Sequence, residues 1–121
     1  LGQVATFDLG ETWLKETGLP FVFAMWVARR DADLSEVTRA LRQAKQQGTR
    51  NVEAIAAREG PPLGLSVAET VRYLTEYIRF DFGPRELQGL TLFYESAVNL
   101  GLVPGGVPIV FYDQPNLAKV R

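Results

Sequence analysis

The apolar positions of this chain follow two patterns: one near-continuous run early on, then stripes at helical spacing. The run is "LPFVFAMWVA", residues 19–28, behind Gly18 and ahead of Arg29 and Arg30. Phe21, Phe23, Met25 and Val27 share one parity, and Val22, Ala24, Trp26 and Ala28 share the other. Both sets are apolar, which predicts a strand over about Pro20–Ala28 with both faces covered. That expectation makes Trp26 a core residue. A membrane-spanning helix needs about 20 apolar residues, roughly twice this run.

The flanking elements have local signals. "QVATFDLG" alternates weakly and predicts a short strand at Val4–Phe7. Asp8 with Glu11 three residues on predicts the start of a helix, about Gly10 to Glu16, closed by Gly18 with Pro20 beyond. Asp33 with Glu36 predicts a second capping box, with Leu34, Val37, Leu41 and Ala44 as the stripe and Gly48 as the stop. A shorter helix is expected over Asn51–Arg58, with Val52, Ile55 and Ala56 inward. "GPPLG" is a rigid turn. Ser66 with Glu69 opens a helix striped by Val67, Val71, Leu74 and Ile78. Pro84 stands at the first position of the last helix, whose stripe is Leu87, Leu90, Tyr94, Ala97 and Val98, ended by Gly101. "PIVFY", residues 108–112, reads as an edge strand or pairing arm.

The order is therefore strand, helix, strand, then helices. Two strands cannot cover this much helix, and a doubly buried strand needs neighbours. Together with a first residue that is Leu1 rather than Met, this predicts a segment of a longer protein.

Composition narrows the chemistry. The chain has 121 residues, 13 basic and 14 acidic, a formal charge of −1, and no cysteine or histidine. It has no disulfide framework, no thiolate, no usual zinc ligand and no Ser-His or Cys-His pair. No metal site or cofactor is expected. The dispersed charge argues against nucleic acid as a partner, and no segment argues for a membrane. Acid–base work would fall to carboxylates, Lys, Arg, Tyr or the substrate itself. Asp8 and Glu11 are weighed as such a pair against the simpler reading of a helix cap, which is preferred. Arg29 and Arg30 read as a solvated strand end rather than an anion guide, and Arg72, Tyr73 and Tyr77 as helix surface.

"DLGETWLKETGLPFVFAMWVARR" and "SVAETVRYLTEYIRFDFGPRELQGLTLFYESAVNLGL" resemble the C-terminal part of the chorismate dehydratases of the futalosine route to menaquinone. The resemblance runs collinearly over about Phe7 to Leu102. A sister family that forms a dihydroxynaphthoate from cyclic dehypoxanthinyl futalosine shares the Asp-Leu-Gly and Gly-Leu-Pro elements. It usually continues with a Pro-Leu-Gly type loop where this chain has "FVFAMW". The resemblance implies an α/β fold: part of a two-lobe, type II periplasmic-binding-protein-like architecture with a buried crossover strand followed by several helices. It further implies that residues 1–18 end the second lobe, 19–30 cross over, 31–102 pack as helices on the first lobe, and 103–121 form a Pro/Gly-rich tail.

The implied reaction removes water from chorismate to give 3-[(1-carboxyvinyl)oxy]benzoate, in the cytoplasm, with the small-molecule substrate as partner and a homodimer compatible with the scheme. The catalytic polar groups are expected upstream. Within this chain Gly18, Pro20, Phe21 and Phe23 are the candidate substrate-binding residues, Gly18 as a hinge and the others as a wall against the substrate ring. Plain core packing is the competing and preferred reading for Pro20, Phe21 and Phe23. A solute-binding protein of the same fold, or an effector-binding domain, would use the same architecture without chemistry.

Overall fold

The computed structural model describes residues 5–106 and 108–112. Five α-helices follow in order: α1 (Leu9–Thr17), α2 (Ser35–Arg50), α3 (Val52–Glu59), α4 (Val67–Arg72) and α5 (Pro84–Asn99). A 3-10 turn spans Pro61–Leu63, and α4 runs on into a π-helical turn, Tyr73–Tyr77. The chain forms two compact units, one from residues 29–81 and the other from the segments before and after it.

The α/β expectation is overturned. Among the described residues there is no strand, and residues 20–29 carry no regular element. The run expected to be doubly buried is largely exposed: Phe23 is 78% exposed, Trp26 83% and Val27 90%. Trp26 is thus not core. The physical reason is pairing. A strand is stabilised by a ladder with a neighbour, and no segment among the described residues supplies one, so alternation alone cannot make the element. The strand expected at Val4–Phe7 is likewise absent over residues 5–7, Val4 lying outside the described residues. Residues 108–112 form no edge strand either, and the rest of the expected tail, 113–121, lies outside the described residues.

The unit of residues 29–81 is built around one close helix turn. α3 and α4 meet through Gly60, where the chain leaves α3 and the amides of Leu63 and Leu65 both donate to the Gly60 carbonyl, at 2.9 and 3.1 Å. Ala56 on α3 is fully buried, and Thr70 on α4 is 6% exposed. The space for a β-carbon at Gly60 is taken by the Thr70 hydroxyl and by the Ala56 carbonyl oxygen, 2.8 Å away. Gly60 is therefore fixed by crowding, its backbone being ordinary helical. Ser66 and Glu69 complete the expected capping box. The Glu69 amide donates to Ser66 Oγ at 3.2 Å, and the Ser66 amide donates to Glu69 Oε2 at 2.8 Å.

Two signals in this unit fail. Asp33 does not cap α2. It accepts instead from the amide and hydroxyl of Ser35 (3.1 and 2.8 Å), while Glu36 pairs with Arg39, so the helix starts after Leu34. Gly48 does not stop α2, which continues to Arg50. An interior glycine costs about 1 kcal/mol against alanine, too little to end a helix whose following turn still has residues to bond. Arg29 pairs with Asp31 at 3.0 Å in an exposed pair, solvated as expected although no strand ends there, and Tyr73 and Tyr77 are exposed on the helix surface.

Three exposed carboxylates of this unit sit below the ordinary range. The Ser66 hydroxyl, then its amide, lowers Glu69. The Ser35 amide, then its hydroxyl, lowers Asp33. A hydrogen bond from Lys45 at 2.5 Å, then the lysine's charge, lowers Asp81. A lowered folded-state pKa contributes stability that is present above the unfolded value and lost as pH falls through the folded one. Acid titration monitored by circular dichroism should therefore show helix loss setting in at and below the ordinary carboxylate range. Glu69→Gln should flatten that dependence, and an unchanged acid profile would contradict the role given to the capping box. Gly60→Ala should destabilise by about 1–3 kcal/mol in chemical denaturation, because the methyl overpacks a filled site. Trp26→Ala should stay within about 0.5 kcal/mol, as for other exposed positions.

Candidate functional site: an aromatic wall held by the last helix

The unit that contains α1 and α5 carries the sequence-predicted site residues. α1 starts where Asp8 accepts the Glu11 amide at 2.8 Å, and Glu11 pairs with Lys15 at 2.7 Å. Both acidic side chains are thereby engaged in the helix, so the cap reading holds and the acid–base pairing does not arise. Gly18 closes α1 in the left-handed region, φ 69°, its amide donating to the Leu14 carbonyl at 2.9 Å. Only glycine takes that conformation without strain. The Thr17 hydroxyl donates to the Trp13 carbonyl at 2.7 Å and accepts the Leu19 amide at 3.1 Å, so the turn out of the helix is fixed on both sides.

The chain then passes along α5. The Arg85 guanidinium donates to the Gly18 carbonyl at 2.5 Å. One helical turn on, the Pro20 carbonyl oxygen sits where a β-carbon of Gly89 would be, and Leu19 Cβ is 3.6 Å from the same point. Another turn on, the Phe93 ring meets Phe21 edge-to-face, 5.3 Å between centroids at 89°. Arg85, Gly89 and Phe93 are spaced i, i+4, i+8 and form one line along the helix. That line contacts Gly18, Pro20 and Phe21 in register.

Phe21 is the hub. Its ring also meets Trp13 at 5.8 Å and Phe23 at 4.9 Å, each at 72°. Trp13 meets Phe93 at 5.9 Å and 71°, and Phe93 meets Tyr94 at 6.2 Å. These are the edge-to-face arrangements that aromatic quadrupoles favour. The Phe23 ring lies against α1 so closely that a β-carbon at Gly10 would come within 2.6 Å of it, yet its other side is open. The Trp13 indole Nε1 is buried without a hydrogen-bond partner.

The structure thus brings together Pro20, Phe21 and Phe23 and places Gly18 at the head of the same segment. Trp13, Arg85, Gly89 and Phe93 were not legible as members. The available signal was Gly89: an interior helix glycine four residues after Arg85 and four before Phe93 asks for a close neighbour. What the assembly offers chemically is ring edges and faces, a surface suited to lie against a cyclic molecule. Among the described residues no group of acidic side chains is close enough to hold a metal ion, and no helix is long and apolar enough to cross a membrane.

Gly89→Ala should destabilise by about 1–3 kcal/mol despite alanine's better helix propensity, because the methyl displaces the Pro20 carbonyl. Chemical denaturation checks it, and a gain in stability would contradict the close approach.

A family described as menaquinone biosynthesis matches residues 2–99. A protein of Thermus thermophilus named chorismate dehydratase is 33% identical over 96 residues, which is 78% of this chain and 35% of that protein. The chain spans about a third of the length of this curated relative. No solved structure matches it. With most of its residues inside the family's pattern, the chain belongs to the menaquinone-biosynthesis family.

Proposed function

We propose that this chain contributes part of a chorismate dehydratase, converting chorismate to 3-[(1-carboxyvinyl)oxy]benzoate and water in the first step of the futalosine route to menaquinone. The similarity to the Thermus protein of that name carries the reading, and we assign the substrate to the aromatic wall because its rings could lie against a cyclic molecule. In the proposed reaction a base removes a ring proton as the ring hydroxyl leaves, and aromatisation drives the step. The wall formed by Pro20, Phe21 and Phe23 contacts the substrate ring from one side. Gly18 sets the direction of approach. The substrate's two carboxylates require cationic or N–H donors. The proton-transferring groups are assigned to residues outside these 121.

The protein expressed from its complete gene should consume chorismate with loss of its absorbance. Consumption of cyclic dehypoxanthinyl futalosine instead would assign it to the sister reaction. Phe21→Ala should lower kcat/KM by about tenfold or more, chiefly through KM, since the wall contacts the ring before and during reaction. It also removes three aromatic contacts worth about 0.5–1.5 kcal/mol each. Leu41→Ala, in the other unit, supplies the comparison: a stability loss with near-normal kcat/KM per folded molecule. If Phe21→Ala behaves like Leu41→Ala, the phenylalanine is packing alone.

A further inference from the structure

The geometry points to Arg85 as a positioning residue for the substrate-facing segment, an inference that rests on the proposed placement of substrate at Phe21. Arg85 is the second residue of α5, and the first turn of a helix disfavours a cation because the unpaired amides there are already positive. Its location therefore needs a reason, and the structure supplies one. Its Nη2 donates to the carbonyl of Gly18, the residue that terminates α1. That end of α1 carries the negative pole, so the guanidinium meets both a hydrogen-bond acceptor and the favourable end of a helix dipole. The bond joins residues 67 positions apart.

The consequence extends past Gly18. Its carbonyl begins the peptide that leads to Leu19, and Pro20 then restricts the backbone before Phe21. With the carbonyl held by Arg85 and the Pro20 carbonyl seated on Gly89, two successive points fix where the Phe21 ring emerges. Phe93 then sets its tilt by an edge-to-face contact. Releasing the first point leaves the Gly18 turn held by its Leu14 and Thr17 bonds alone, at a residue with no side chain to restrict it further. Arg85 acts through Gly18 and touches no aromatic ring of the wall itself.

The test uses the protein expressed from its complete gene, with Arg85→Met to keep the stem and remove the donors, and Arg85→Lys to restore one. Hydrogen exchange at the amides of Leu19, Phe21 and Val22 is measured beside steady-state kinetics with chorismate. Arg85→Met should raise exchange at these amides and raise KM by about tenfold each, with kcat changed less, since a wall that contacts the ring before and during reaction contributes uniform binding. Arg85→Lys should recover part of both. If Arg85→Met does not fold, Arg85→Lys carries the test, with a smaller rise in exchange and KM expected. Exchange unchanged in the folded variants overturns the proposal whatever the kinetics show. Faster exchange with unchanged KM also overturns Arg85's role in turnover. That outcome traces the failure to the placement of substrate at Phe21, since the hold on Gly18 would then be demonstrated.

Discussion

The candidate site depends on one close approach, the seating of the Pro20 carbonyl on the bare backbone of Gly89. A side chain at position 89 would push the segment away from α5 by the thickness of a methyl group. Arg85 could then no longer reach the Gly18 carbonyl at 2.5 Å, and the Phe21–Phe93 edge contact at 5.3 Å would open. The glycine is thus the middle of three consecutive holds on the same face of one helix. Its propensity cost of about 1 kcal/mol is offset by the aromatic contacts it permits, each worth about 0.5–1.5 kcal/mol.

The same logic operates in the unit of residues 29–81. Gly60 lets the Thr70 hydroxyl and the Ala56 carbonyl close on one point, and the capping box at Ser66 and Glu69 fixes where α4 begins. In both units a glycine in an ordinary backbone conformation is explained by what lies beside it. Large apolar side chains are mostly left in view. Among the described residues Ala56 and Leu87 are the buried hydrophobic ones. Order in each unit therefore comes from caps, close backbone contacts and ring edges more than from a deep core.

What the sequence revealed followed the range of the interaction. Asp8 as a cap, the Ser66–Glu69 box, Pro84 at the head of α5 and Gly18 as the end of α1 each involve residues within a few positions, and each was readable. The misreadings arose where a local signal had a competitor or lacked a partner. Asp33 found Ser35 first, and Gly48 was too weak a break to stop α2. The run at 20–28 has the composition of a buried strand, but no neighbouring strand is present among the described residues. Phe21 and Phe23 were singled out from their place at the start of an expected crossover strand, which the structure does not form. Trp13, Arg85 and Phe93 were not, because their role exists only once α1 and α5 bring residues some 70 positions apart together. Residues 23–27 leave apolar side chains exposed, and the chain spans about a third of the length of the Thermus relative.

In the proposed reaction the wall around Phe21 faces the substrate, and Trp13, whose ring meets Phe21 and Phe93, reports on it directly. The measurement is the Trp13-dependent emission, taken as the difference between the protein expressed from its complete gene and its Trp13→Phe variant, each titrated with 3-[(1-carboxyvinyl)oxy]benzoate, the product in the proposed reaction. The account predicts a saturable change in emission that is abolished by Phe21→Ala. Emission that stays constant while the same preparation turns over chorismate would contradict it.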